Sequence, residues 1–122
     1  MVKTPIQVII RARPTVNYAS KNIQIEENSS KITINIPKQL EKGYVNHQQE
    51  NWAFQFDKVL QNASQEVMFD ICAKNLIASL LEGYSGTILA YGQTGAGKTF
   101  TMFGSPSDYK YRGIIPRYLK GK

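Results

Sequence analysis

Residues 90–99 read AYGQTGAGKT, and this short stretch decides the fold expected for the chain. Gly92, Gly97, Lys98 and Thr99 occupy the fixed positions of the pattern G-x-x-x-x-G-K-S/T. In that pattern, backbone N–H groups of the loop converge on the phosphates of a nucleotide. The simpler alternative is a glycine-rich turn that only joins a strand to a helix. We interpret the stretch as a phosphate-binding loop because its flanking residues also suit the strand and helix that the pattern requires.

The residues on either side of the loop predict these two elements. Residues 86–91 form a short apolar run that is typical of a buried strand. From Lys98 the chain can form a helix as far as Met102 or Phe103, with its N-terminal dipole facing an anion. Residues 104–108 (GSPSD) then predict a surface loop, and Pro116 suits the first turn of a last helix.

A longer helix is predicted before the loop, at residues 64–82. Asn62 or Ser64 can cap its start, Glu66 suits its first turn, and Gly83 suits its end. Apolar residues recur at steps of three and four, the spacing of one buried helix face. These residues are Met68, Ile71, Cys72, Leu76 and Leu80. We interpret Cys72 as a small core residue and not as a reactive thiol.

The first half of the chain contains most of the strand signals. Residues 6–12 predict a first strand, and residues 23–27 and 31–36 predict an antiparallel hairpin joined by the turn-forming residues 28–30. Residues 37–50 are polar and predict a surface loop. Residues 52–56 alternate between aromatic residues and Ala53 or Gln55, and they predict the next strand. Aromatic residues alternate through Trp52, Phe54 and Phe56, and we expect this face to be covered as core and not open as a ligand platform.

Composition limits the classes to which the chain can belong. Its 122 residues are 42% hydrophobic and 20% charged, which indicates one globular domain and not a disordered tail. No apolar run approaches the ~20 residues of a membrane helix, and the first residues do not resemble a signal peptide. The single Cys72 cannot form an internal disulfide, which suits a reducing cytosol. We therefore expect a cytoplasmic protein with no membrane partner.

The net charge favours an acidic partner. Fifteen Lys and Arg against nine Asp and Glu give a formal charge of +6. The basic residues are scattered and form no tract. Charge alone therefore does not distinguish nucleic acid from another acidic surface, and an ordinary solvated surface remains an alternative.

Taken together, these segments resemble the motor domain of kinesins over nearly the whole chain. The segments that carry the resemblance are residues 84–102 around the loop, residues 11–14 (RARP), residues 54–59 (FQFDKV) and residues 112–117 (RGIIPR). The resemblance implies that residues 54–59 form one strand, the second of the fold. Residues 43–46 (GYVN) and Trp52 are most similar to the kinesin-nine branch, which is associated with cilia and flagella.

The residue pattern by itself indicates an α/β fold with crossover connections. The resemblance implies the kinesin form of this fold, a P-loop NTPase three-layer sandwich with a small antiparallel hairpin lobe. Residues 1–122 would be the N-terminal portion of such a motor domain. Residues 1–62 would form the first strands and the hairpin lobe, and residues 63–122 the helix, the P-loop strand, the P-loop and the following helices. In the family a late strand lies between the first strand and the P-loop strand, so we expect unpaired strand edges and uncovered apolar faces here.

The resemblance also implies ATP and Mg²⁺ as cofactors. Lys98 would contact the β- and γ-phosphate oxygens, and Thr99 would offer its hydroxyl to Mg²⁺. Residues at four further positions match those around the adenine in the family. The candidate cofactor-binding residues are Arg11, Arg13, Pro14, Gly92, Gln93, Thr94, Gly95, Ala96, Gly97, Lys98, Thr99 and Phe100. Alternatively, residues 13–14 only end a strand and Phe100 packs inside the protein.

The implied function is ATP-driven movement on microtubules, with tubulin and not nucleic acid as the partner. The resemblance places the protein in the cytoplasm, on the cytoskeleton and at the cilium or flagellum. The two kinesin switch segments, which complete the Mg²⁺ site and position the attacking water, do not occur in residues 1–122. Asp108 is interpreted as solvated, so we assign no catalytic residue.

Three other functions remain open. The chain could bind nucleotide without turning it over, or it could regulate tubulin or a motor partner. It could also belong to another P-loop enzyme such as a small kinase, although a kinase has no reason to contain the RARP and RGIIPR segments.

Overall fold

The computed structural model describes residues 5–38 and 49–120, which fall into two compact units, Met1–Asn62 and Ala63–Lys122. Most of the predicted loop at residues 37–50 lies outside the described residues, as do residues 43–46, which contribute to the branch resemblance. Within the described ranges, no helix has the length and apolar character needed to cross a bilayer.

The first unit consists of two small sheets. Its strands are β1 (Ile9–Ala12), β2 (Ile23–Glu26), β3 (Lys31–Asn35), β4 (Asn51–Gln55) and β5 (Lys58–Gln61). Strands β2, β3 and β4 form an antiparallel sheet in that order, whereas β1 pairs with β5 in parallel. A parallel pair requires a crossover connection, and here the three-stranded sheet lies within that connection.

The predicted hairpin is confirmed. Strand β2 pairs with β3 so that Ile23 faces Ile34 and Ile25 faces Ile32. The half-buried isoleucines of β2 alternate with exposed Gln24 and Glu26, as expected for a sheet with one solvated face.

The prediction of one strand over residues 54–59 is wrong. The chain leaves β4 after Gln55, and Asp57 directs it into the other sheet. The Phe56 N–H donates at 3.0 Å to the carbonyl of Ser30, which lies in the turn between β2 and β3. Asp57 instead exchanges two bonds with Val8: its carboxylate accepts from the Val8 N–H at 2.7 Å, and its own N–H donates to the Val8 carbonyl at 3.1 Å. The segment expected to be one strand is therefore divided between β4 of one sheet and β5 of the other.

The expected cover over the aromatic face of β4 is also absent from the described part of this unit. The side chains of Trp52 and Phe54 are 39% and 42% exposed, and their rings stack with centroids 6.4 Å apart. Strand β4 lies at the edge of its sheet, and residues 5–38 and 49–62 contain no helix that could cover it. The interpretation of these two side chains as core is therefore wrong.

The second unit is helical. Its elements are α1 (Gln65–Cys72), α2 (Lys74–Leu81), α3 (Lys98–Met102), a 3₁₀ helix (Tyr109–Tyr111) and α4 (Ile114–Lys120). The apolar side chains buried most deeply in this unit are Met68, Ala73 and Ile114. The predicted end of α3 and the place of Pro116 in the first turn of α4 are confirmed.

The helix predicted at residues 64–82 is divided into α1 and α2 at Ala73, so the prediction of one continuous helix is wrong. Ala73 has φ −113° and ψ −33° and is 1% exposed. Its N–H still donates to the Phe69 carbonyl, and its own carbonyl accepts from the Ile77 N–H. The hydrogen-bond ladder therefore continues through a local distortion that no Gly or Pro announces in the sequence.

Both predicted ends of this helical segment are confirmed. The Ser64 hydroxyl accepts from the Val67 N–H at 3.2 Å, and Glu66 lies in the first turn. At the other end Gly83 has φ 95°, its N–H donates to Leu80, and the Tyr84 N–H donates to Ser79. This pair of bonds is the Schellman motif, which satisfies the last carbonyls of a helix.

The prediction of a strand at residues 86–91 is wrong in this structure. Residues 84–92 belong to no helix or strand, and Leu89 and Tyr91 are 83% and 95% exposed. A strand is completed by hydrogen bonds to a neighbour, and none of the described residues pairs with this segment. The expectation of uncovered apolar side chains is confirmed here.

Candidate phosphate-binding site

The loop at residues 92–97 is built from glycines in backbone conformations that other residues rarely adopt. Gly92, Gly95 and Gly97 have φ values of 155°, 82° and 100°. A Cβ at Gly92 would lie 2.9 Å from the Cβ of Ala96, so the loop is too tight there for a larger residue. The Ala96 N–H donates to the Gln93 carbonyl at 3.1 Å, which closes a turn. The sequence therefore forms a compact loop and not an extended connection.

Gly97 caps α3 in the left-handed conformation, and it provides no side chain that could satisfy the first N–H groups of the helix. The first N–H groups of any helix lack partners within the helix, and they carry the positive end of its dipole. This arrangement suits an anion at the start of α3.

Lys98 brings a positive charge into the same loop. Its Nζ donates to the Gly92 carbonyl at 2.6 Å and to the Gln93 carbonyl at 2.9 Å, and its side chain is half-buried. Phosphate oxygens are charged and are stronger acceptors for an ammonium group than neutral carbonyls are. A bound phosphate would therefore compete with the two carbonyls for this donor.

The remaining loop residues are accessible to a ligand. Thr99 follows Lys98 directly in the sequence, lies in the first turn of α3 and is exposed. The other exposed loop residues are Gln93, Thr94, Gly95 and Ala96. A hydroxyl beside a phosphate site is a suitable oxygen ligand for Mg²⁺, which keeps several waters in such sites. The residues present therefore fit a nucleotide phosphate with its Mg²⁺.

The predicted adenine-contacting residues are divided between the two units. Arg11 lies on β1 opposite Leu60, and Arg13 and Pro14 are exposed just after that strand. Phe100 belongs to the second unit and is 44% exposed. Its exposure does not support the alternative in which it packs inside, but whether these four residues meet at one base stays a prediction.

Two buried polar residues were not predicted. Gln65 is 3% exposed and its side-chain amide donates to the carbonyls of Phe100 and Tyr111. It precedes Met68 by three residues, so it lies on the apolar face of α1. A polar residue at a position where the helical spacing predicts an apolar one could have indicated a buried hydrogen-bonding side chain. Arg117 is 8% exposed and its guanidinium donates to the Arg112 carbonyl at 2.9 Å.

The remaining contacts of Arg117 support a structural role. It also donates to the carbonyls of Tyr109 and Lys110 and lies 4.8 Å from the centre of the Tyr109 ring. It therefore caps the 3₁₀ helix. Asp108 is exposed and its carboxylate accepts from the Lys110 N–H at 2.9 Å, in agreement with its interpretation as a solvated residue.

The glycine loop and the lysine inside it are the features of a P-loop protein. The α/β fold of that class is what the following family match implies. The family model described as the kinesin motor domain matches residues 11–121. The chain belongs to the kinesin motor domain family. Members of this family bind ATP with Mg²⁺ and interact with microtubules.

Individual relatives support the branch resemblance. Kinesin-like protein KIF9 of Mus musculus is 46% identical over 94% of this chain, and that of Homo sapiens is 43% identical over 94%. Kinesin-like protein KLP1 of Chlamydomonas reinhardtii is 48% identical over 98% of this chain. In each case the match covers 15% of the relative, so the chain spans about that share of their length.

Proposed function

We propose that the chain is the ATP-binding part of a microtubule motor, in which ATP hydrolysis by the complete motor drives movement. The observation that carries the proposal is the position of Lys98, whose ammonium group lies inside the glycine loop within 2.9 Å of two loop carbonyls. Family membership connects this loop to microtubule-based movement. Tubulin, with its acidic surface, is the proposed partner of the complete motor, and the chain's +6 charge is compatible with it.

Each loop residue has a role in this proposal. Backbone N–H groups of residues 93–99 would bind the β-phosphate, Lys98 would supply the positive charge for the β- and γ-phosphate oxygens, and Thr99 would hold Mg²⁺. When bound, the ion neutralises charge on the phosphate oxygens. Arg11, Arg13, Pro14 and Phe100 are the proposed contacts to the base, because a guanidinium plane and an aromatic face can both stack on a base.

The arrangement of the complete motor is also part of the proposal. Residues 1–62 supply the first strands and the hairpin lobe of one motor domain, and residues 63–122 supply the helices around the P-loop. The three-layer sandwich forms when a further strand pairs with residues 86–91. We place the protein on the cytoskeleton of the cytoplasm and, through its similarity to KIF9 and KLP1, in the cilium or flagellum.

Replacement of Thr99 tests the proposed Mg²⁺ site. Thr99→Ala is expected to weaken the Mg²⁺-dependent binding of a fluorescent ATP analogue by about tenfold, because one ligand of the ion is lost. Binding in EDTA should be the same as in the wild type. Thr101→Ala, on the same helix, is the matched control and should keep the Mg²⁺ dependence. Equal Mg²⁺ dependence in the wild type and Thr99→Ala would contradict the assignment.

A second test concerns turnover. The purified 122-residue chain is expected to hydrolyse ATP no faster than Lys98→Ala, with or without microtubules. The physical reason is that residues 1–122 contain neither of the switch segments that position water and complete the Mg²⁺ site. A coupled ATPase assay measures both chains side by side. Microtubule-stimulated turnover above the Lys98→Ala level would overturn this expectation.

A further inference from the structure

Gln65 is a buried polar side chain that is not part of the phosphate-binding loop. It opens α1 and is 3% exposed. Its side-chain amide donates to the Phe100 carbonyl at 2.7 Å and to the Tyr111 carbonyl at 3.2 Å. One amide therefore joins α1 to α3 and to the end of the 3₁₀ helix.

The Phe100 carbonyl accepts a hydrogen bond from outside α3, from the Gln65 amide. In a regular helix it would accept from the Gly104 N–H, four residues later. Here the Gly104 N–H donates to Thr99 at 3.2 Å, and Thr99 also accepts from Phe103 at 2.8 Å. The last carbonyls of a helix need partners outside it, and Gln65 supplies one for Phe100.

The second partner of Gln65 belongs to the segment that returns past the end of α3. The Tyr111 carbonyl also accepts from the Ser105 N–H at 2.9 Å, and the Gly113 N–H donates to Phe103 at 2.9 Å. These backbone bonds connect the residues just after α3 to the residues just before α4. Gln65 therefore binds the C-terminal end of α3 both directly and through this returning segment.

We propose that Gln65 is a positioning residue for nucleotide binding, which holds Lys98 and Thr99 in the orientation that the phosphates require. This inference rests on the proposed function. Phe100 follows Lys98 by two residues, or ~3 Å along a helix axis, so α3 cannot tilt at Phe100 without moving both binding residues. A helix of five residues has few internal bonds to resist such a tilt, so an external contact has a large influence on it.

Gln65→Met tests the proposal, because methionine has a similar length and volume but no donor. Loss of the two hydrogen bonds from the buried amide is expected to weaken binding of a fluorescent ATP analogue with Mg²⁺ by about tenfold. Backbone amides of residues 98–104 should also exchange with deuterium faster than in the wild type. Gln65→Asn keeps the amide but is one methylene shorter. It is expected to give a smaller loss, and it serves as the test if the methionine variant does not fold.

Two control variants test whether a loss of affinity in Gln65→Met could come from lower stability of the unit or from the loss of any glutamine amide. Met68→Ala removes a 4% exposed core side chain from the same helix, so it destabilises this unit without removing a donor to α3. Gln55→Met removes an amide that donates to the Ser29 carbonyl in the first unit. Both controls are expected to keep wild-type affinity when measured well below their unfolding temperatures.

The outcomes are distinct. A folded Gln65→Met chain with wild-type affinity and wild-type exchange at residues 98–104 would overturn the inference, as would an equal loss of affinity in Met68→Ala. If the wild type itself does not bind the analogue, the proposed function fails. The exchange comparison then still decides whether Gln65 holds α3.

Discussion

Lys98→Ala is expected to abolish binding of a fluorescent ATP analogue, with an affinity loss of about 100-fold or more. Charged hydrogen bonds to phosphate contribute ~1.5–3 kcal/mol each, and the lysine makes more than one in the proposed complex. The substitution also removes the two bonds from Nζ to the Gly92 and Gln93 carbonyls, which connect the helix to the start of the loop. The loss of the phosphate contacts weakens binding, and the loss of the two carbonyl bonds changes the loop of the free chain. A titration followed by fluorescence anisotropy measures the loss.

Lys74→Ala is the matched control for this change. Lys74 belongs to the same compact unit, its side chain is 72% exposed, and its Nζ lies 4.0 Å from the Asp70 carboxylate. This variant also loses one positive charge, but at a residue outside the loop. It should therefore bind the analogue as the wild type does. Circular dichroism of both variants excludes unfolding as the cause. Equal affinity of the wild type and Lys98→Ala would remove the basis for the phosphate-loop assignment.

Gly104→Ala is expected to produce the largest loss of stability, about 4 kcal/mol in the free energy of unfolding. Gly104 has φ 67°, and a Cβ there would lie 2.0 Å from the Tyr111 carbonyl oxygen and 2.5 Å from the Gly113 nitrogen. Both atoms belong to the backbone, so neither can move aside as a flexible side chain could. Native domains are stable by only ~5–15 kcal/mol, so this loss is a large part of the total. Urea unfolding followed by circular dichroism measures it.

Gly83→Ala is the control that distinguishes the steric clash of an added Cβ at Gly104 from the cost of a positive φ. Gly83 also has positive φ, 95°, but no atom lies within 4 Å of the Cβ that alanine would add. Its substitution is expected to cost only about 1–2 kcal/mol, the price of the left-handed conformation. If the two variants unfold at the same urea concentration, the close backbone approach at Gly104 is not important for stability.

The sequence alone determined the features that depend on neighbouring residues. The loop pattern at residues 92–99, the Ser64 cap, the Gly83 stop and the β2–β3 hairpin all follow from residues within a few positions of one another. Their physics is local, because capping bonds, positive φ and side-chain periodicity do not require a distant partner. The same local patterns were specific enough to indicate the kinesin family, which the comparison with the family model confirms.

The tertiary structure decided the features that depend on a distant partner. Residues 86–91 have the composition of a strand but form none, because strand hydrogen bonds need a neighbour and the described residues supply none. Asp57 moves the chain from one sheet to the other through Val8, which is 49 residues away in sequence. Gln65 finds the Phe100 carbonyl across 35 residues. Periodicity shows which face of an element is apolar, but the partner that covers that face, or leaves it exposed as at Trp52, is set by contacts between residues far apart in the chain.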